Sequence, residues 1–141
     1  MAVREIMKIL IVDGQGGGIG KLLIQAIRAA LPEAEITAVG TNALATAAML
    51  RAGAARGATG ENAVRVQSRR VDAIVGPVGI VVADALLGEV TPAMALAIGQ
   101  SPAMKILIPV NQCENYIVGV PDLQLPALVS QAVERLQSLS Q

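Results

Sequence analysis

Asp13-Gly14-Gln15-Gly16-Gly17-Gly18-Ile19-Gly20-Lys21 is the stretch whose residue types and spacing could do chemistry, and that chemistry is phosphate capture. It follows the apolar run Ile9-Leu10-Ile11-Val12 and leads into a segment of helical periodicity. A helix start presents backbone N–H groups that have no intrahelical partner, and its dipole favours an anion. Glycines there reach positive φ and let a ligand approach without a Cβ in the way; a tight strand-to-helix connection with close packing is the structural alternative. Lys21 falls in the first helical turn, where a cation opposes the dipole. A phosphate contact accounts for that placement, and a solvated surface lysine is the plain alternative. Asp13 has two readings: acceptor of N–H bonds from the turn, or ligand of a Mg²⁺ ion or a ribose.

The elements that must position these residues can be read from periodicity. Ile6 to Val12 reads as a buried parallel strand. Ile19, Leu22, Leu23, Ala26, Ile27 and Ala30 fall on one face of a helix that Pro32 stops. Glu35 to Val39 is a second strand. Thr41 or Asn42 caps a helix through about Arg51, with Gly53 just beyond. Gly53 to Asn62 reads as a loop and Ala63 to Val66 as a short strand. Val71 to Gly76 is a clearer strand, and Gly79 to Leu87 fits either strand or short helix. Thr91-Pro92 starts a helix that ends near Gly99. Lys105 to Val110 and Tyr116 to Val120 read as strands. The last helix carries Leu128, Val129, Ala132, Val133, Leu136 and Leu139 on one side.

This alternation predicts an α/β fold, a three-layer Rossmann-like domain with a mainly parallel sheet, spanning 1–141 as one domain. Ligands of such sheets lie outside the carboxyl ends of the strands, where strand order reverses. That edge would gather Asp13 and the glycine turn, Gly40-Thr41-Asn42, Gly76-Pro77 and Asn111-Gln112-Cys113. The candidate ligand-binding residues are therefore Asp13, Gly14, Gln15, Gly16, Gly17, Gly18, Ile19, Gly20, Lys21, Thr41, Asn42, Gly76 and Asn111. Asn42 and Asn111 have helix or turn capping as their simpler role.

The glycine spacing narrows the ligand only to a class. The G-x-G-x-x-G dinucleotide fingerprint fails from Gly14, where Ile19 stands at the third site, and from Gly16, where Lys21 does. Gly14, Gly18, Ile19 and Gly20 meet the G-x-x-x-G-I-G spacing of short-chain dehydrogenases. That resemblance is incomplete: Val39-Gly40-Thr41-Asn42 offers no carboxylate for a ribose, and Tyr116 is followed four residues on by Val120, not by lysine. Gly20-Lys21 matches the end of a Walker A loop, but Leu22 replaces the hydroxyl residue that would hold Mg²⁺. NAD(P) or another nucleotide is the cofactor class these residues point to, and no metal is expected.

Composition removes other classes. The chain contains no His, which excludes His-based triads and His-ligated metals, and its single Cys excludes an internal disulfide. One Tyr with no Phe or Trp leaves no stacking platform for single-stranded nucleic acid. Eleven basic and eleven acidic residues cancel, so neither nucleic acid nor an anionic membrane is expected as partner. Arg51, Arg56, Arg65, Arg69 and Arg70 read as a solvated face ahead of an anion patch, because the net charge is zero. Only 16% of residues are charged against 53% hydrophobic, which suggests a homo-oligomer. The apolar region from Ala73 to Met104 is broken by Pro77, Asp84, Glu89 and Pro92, so no membrane span is expected, and a cytoplasmic location is.

The motifs Asp13-to-Lys21, Gly40-Thr41-Asn42-Ala43-Leu44-Ala45-Thr46 and Gly57-Ala58-Thr59-Gly60-Glu61-Asn62 resemble a family of short bacterial proteins of unknown function. The resemblance covers nearly the full length and implies a Rossmann-like domain without an assigned activity. The expectation is a small phosphorylated ligand, with sensing or regulation ahead of turnover. One alternative is an NAD(P)-linked oxidoreductase or nucleotide-dependent transferase, with Asp13, Lys21, Tyr116 and Cys113 as its available acids, bases or nucleophiles. The other is a structural subunit of a larger assembly.

Overall fold

The first strand, expected over Ile6 to Val12 and observed at Lys8–Asp13, lies at the centre of the sheet. In the computed structural model, which describes residues 5–110, 115–120 and 123–140, β1 (Lys8–Asp13) pairs in parallel with β2 (Glu35–Gly40) on one side and β4 (Ala73–Pro77) on the other. β3 (Arg56–Thr59) adds to β2 and β5 (Met104–Ile108) to β4, so the order is β3-β2-β1-β4-β5, all parallel. This is the Rossmann order, and the order of strands along the sheet reverses between β1 and β4.

Side-chain alternation along the central strands divides the core into two layers. Ile9, Ile11, Ile36, Ala38 and Val75 meet α1 (Gly18–Ala30), α2 (Ala43–Ala52) and α5 (Leu125–Leu139) on one face. Leu10, Val12, Val39 and Ile74 meet α3 (Glu61–Gln67), a single 3-10 turn at Val78–Val81, and α4 (Pro92–Gln100) on the other. The three-layer α/β architecture is therefore as expected. On α1 the buried stripe is Gly20, Leu23, Ile24 and Ile27. Leu22, assigned to that face from spacing, is 39% exposed.

Three local expectations are corrected. Gly53–Asn62 is not all loop: Arg56–Thr59 is an edge strand in register with Thr37–Gly40. Its four residues are exposed, so no apolar pattern marked it; main-chain pairing alone defines it. Ala63–Val66 is not a strand but the middle of α3, where only Val64 is buried. One buried position in four residues cannot distinguish a period of 2 from 3.6. Tyr116–Val120 forms no strand; Tyr116 and Val118 lie in solvent and Gly119 turns the chain at φ 81°.

Candidate functional site

The four N–H groups at the start of α1 are where a phosphate site must begin, and the structure first shows how the fold itself uses them. Gly17 is the N-cap residue, in a left-handed conformation at φ 74°, with no side chain of its own to cap the helix. Asp13 caps it from below. Its Oδ2 accepts the Gly20 N–H at 2.7 Å and its Oδ1 the Gly14 N–H at 2.8 Å. The carboxyl group is buried, at 4% exposure, and burial pushes its pKa above the usual value. The N–H groups of Gly20, Gly14 and Ile19 pull in the opposite direction, and Glu89 adds a smaller upward push. Of the two readings of Asp13, acceptor of turn N–H bonds is the one this geometry displays.

The glycines of the turn divide into two kinds. A Cβ at Gly20 would stand 2.5 Å from Met49 Sδ, one at Gly17 would stand 2.9 Å from the Ala45 carbonyl oxygen, and one at Gly14 would stand 2.5 Å from Thr41 Oγ1. These three are buried and allow close packing of the turn against α2 and β2. Gly16 and Gly18 are exposed, and a Cβ on either would meet nothing within 4 Å. Among the described residues their N–H groups have no partner, whereas Gly17 N–H donates to the Gly14 carbonyl and Lys21 N–H to that of Gly17. The open face of the turn is thus Gly16 to Gly18.

That face borders a cavity of about 180 Å³ lined by Asp13 to Ile19 in sequence, Pro77 and Leu86. It opens where strand order reverses, between the carboxyl ends of β1 and β4. A larger groove of about 720 Å³ lies at the amino ends of the strands, along Met7, Leu31, Ala34 and Asp72. Open α/β sheets bind ligands at the carboxyl ends, so the smaller cavity is the candidate site.

The remaining candidates fall into place around it, with exceptions. Asn42 caps α2: its Oδ1 accepts the Ala45 N–H at 2.9 Å, which obliges its Nδ2 to face the turn. There Nδ2 donates to the Gln15 carbonyl at 2.9 Å. Thr41 N–H donates to the Asp13 carbonyl, tying the end of β2 to the end of β1. Lys21 is exposed and off the cavity wall. Gly76 does not line the cavity; it lies inside the sheet, where a Cβ would fall on the Val12 carbonyl oxygen, and its neighbour Pro77 forms the wall instead. Asn111 and Cys113 lie outside the described residues.

Two residues at this edge escaped the sequence reading: Leu86 and Glu89, both on the segment between the 3-10 turn and α4. Leu86 is buried against the cavity. Glu89 Oε1 accepts the Thr41 hydroxyl at 2.6 Å, the Asn42 amide at 2.7 Å and the Gln15 N–H at 2.9 Å. The Thr41 hydroxyl, and more weakly the Gln15 and Asn42 donors, hold its pKa below the usual value, although partial burial opposes them. Glu89 therefore places at the end of β2 the carboxylate that Val39-Gly40-Thr41-Asn42 lacks. The signal available was positional: Gly88-Glu89-Val90 leads into the Thr91-Pro92 helix start, and every loop after a strand's carboxyl end borders this edge. Among the described residues no group of His, Cys, Asp and Glu is arranged to hold a metal. No described helix is long and apolar enough to cross a membrane.

A family model described as Domain of unknown function (DUF3842) matches residues 8–141. A search of curated proteins gives no match. Among solved structures, the crystal structure of a dodecameric FMN-dependent UbiX-like decarboxylase from Escherichia coli O157:H7 superposes with a TM-score of 0.46. It shares 16% identity, covering 94% of this chain and 93% of that one. At that score and identity the likeness bears on neither ligand nor reaction.

Proposed function

We propose a function from geometry alone, because the chain belongs to the DUF3842 family, whose description assigns no activity. The protein binds a small phosphorylated ligand, of the nucleotide class, at the open face of the Gly14–Gly20 turn. The observation that carries this reading is the pair of exposed, unpartnered N–H groups of Gly16 and Gly18 at a helix start, beside a cavity at the strand-order reversal. NAD(P) is one member of that class. The cavity of about 180 Å³ admits a phosphate group and falls short of the roughly 300 Å³ at which small-molecule sites begin. A whole nucleotide therefore needs Leu86 or its neighbours to move.

Sensing or regulation fits the site better than turnover. Asp13, the buried carboxylate at this edge, has an N–H bond on each oxygen, which leaves it committed to the helix start rather than to a substrate proton. For self-association the reading rests on composition, 16% charged against 53% hydrophobic residues.

A thermal-shift panel of NAD⁺, NADH, NADP⁺, NADPH, ATP, ADP, AMP and GTP, with and without Mg²⁺, tests the reading. A ligand at 100 times its Kd adds about 2.7 kcal/mol, roughly 6–12 °C for a domain of this size. Gly18→Val should abolish the shift and leave the unliganded melting temperature near that of wild type, because the added side chain enters open space on the ligand side. A shift that survives Gly18→Val moves the site elsewhere, and a silent panel removes the nucleotide class. Light scattering on the same samples reads the mass against 14.4 kDa per chain; a monomer removes the oligomer.

A further inference from the structure

Three donors from two separate segments converge on one oxygen atom, and that oxygen belongs to the protein. The Gln15 N–H comes from the glycine turn, and the Thr41 hydroxyl and Asn42 Nδ2 come from the end of β2; all three reach Glu89 Oε1 within 2.9 Å. Neutral side chains and a backbone amide gathered in this way form an oxyanion site, since each donor is strongest against a negatively charged acceptor. The site is held from outside Glu89: Asn42 by its cap on Ala45, Thr41 by its backbone bond to Asp13, and Gln15 by its carbonyl bond to Asn42.

The arm that delivers Glu89 is built separately from the site. Residues 84–90 close on themselves, with Asp84 N–H donating to the Val90 carbonyl at 2.7 Å, Val90 N–H to Ala85, and Gly88 N–H to Asp84. Asp84, Leu86 and Leu87 all take left-handed φ values, between 56° and 67°, which side-chain-bearing residues adopt only under constraint. Leu86 and Glu89 both crowd Gly14: a Cβ there would lie 2.9 Å from Leu86 Cδ1 and 3.0 Å from Glu89 Oε1. The first glycine of the turn, where a ligand would approach most closely, is covered by the chain itself.

We infer that Gln15 N–H, Thr41 Oγ1 and Asn42 Nδ2 form a second anion subsite, next to the Gly16–Gly18 face, which Glu89 occupies as an internal stand-in and which an anionic oxygen of the ligand takes over when Glu89 withdraws. The ligand it fits carries two anionic groups, or one extended over both subsites, as in a diphosphate. The inference rests on the phosphate reading of the turn. Glu89 then competes with the ligand, and the resting affinity is lower than the site can give.

The experiment is isothermal titration calorimetry of pyrophosphate and ADP into the full chain as wild type, Glu89→Ala, Glu89→Gln, and Glu89→Ala combined with Thr41→Val. Glu89→Ala should bind ten-fold or more tightly than wild type. Glu89→Gln, isosteric and so suited to preserve the fold, should change in the same direction by a smaller factor. Adding Thr41→Val should return the affinity to the wild-type level or below, which general loss of negative charge or loosening of the arm would not do. Binding by Glu89→Ala that equals or falls below wild type, while Gly18→Val still abolishes it, overturns the subsite and leaves the turn intact. Absence of binding in every variant overturns the phosphate reading and the subsite together.

Discussion

Asp13 and Glu89 are the two carboxylates at the candidate site, and their environments displace them in opposite directions. Burial raises the Asp13 pKa above its usual 3.8. The folded state then holds the proton more tightly than the unfolded chain, so the contribution to stability is complete below 3.8 and is lost as pH rises through the folded value. Glu89 is lowered from 4.5, first by the Thr41 hydroxyl, so its contribution is present above 4.5 and is lost as pH falls through the folded value. Urea midpoints measured across the acid range should show the loss on the rising side flattened in Asp13→Asn and the loss on the falling side flattened in Glu89→Gln. An Asp13→Asn profile parallel to wild type would show that the carboxyl titrates as it does in the unfolded chain. The role of Asp13 was visible in the sequence because its partners, Gly14 and Gly20, are local. Glu89 was not, since its partners lie 47 to 74 positions away.

Element boundaries were most legible where a cap is made within one turn. Asn42 and Thr91 both stand at helix starts, each accepting from an N–H three residues on. Gly53 closes α2 at φ 120°. Thr91 also donates its hydroxyl to Glu61 at the start of α3. Thr91→Ala should lower stability by about 1 kcal/mol through loss of the cap alone, read from the urea midpoint at unchanged slope; no change would mean that water caps the helix equally well. β3 and α3 depart from what spacing predicts for a shared reason. Arg56–Thr59 and Glu61–Gln67 bury almost nothing, so their conformation follows from main-chain bonds such as Gly60 N–H to the Gly40 carbonyl, which leave no trace in hydrophobic spacing. The Arg56–Glu35 ion pair across the edge is largely exposed and adds little.

At the scale of the whole molecule, the central strands set the distance between the glycine turn and the cavity wall opposite. Gly76 is the tightest point of that arrangement. A Cβ there would meet the Val12 carbonyl oxygen, so β4 cannot stay in register with β1 unless a glycine occupies the position. Gly76→Ala should destabilise the fold by about 3 kcal/mol, seen as a fall in melting temperature and in the yield of soluble protein. A wild-type melting temperature would show that the sheet absorbs the methyl group by a shift of the strand. The residue was singled out in the sequence as part of the ligand edge; its position in the sheet makes it a packing residue one place short of that edge.

The sequence by itself determined the parts of this protein that depend on near neighbours. These are the buried central strands, the amphipathic helices α1 and α5, the helix starts at Asn42 and Thr91, and the glycine turn with Asp13 beneath it. Each rests on periodicity or on hydrogen bonds spanning a few residues. Tertiary structure decided everything that requires strand order and loop placement: which glycines are packed and which are open, that Pro77 rather than Gly76 faces the cavity, and that Glu89 reaches the end of β2. Those outcomes follow from contacts between segments far apart in the chain, and a single sequence carries no spacing rule for them.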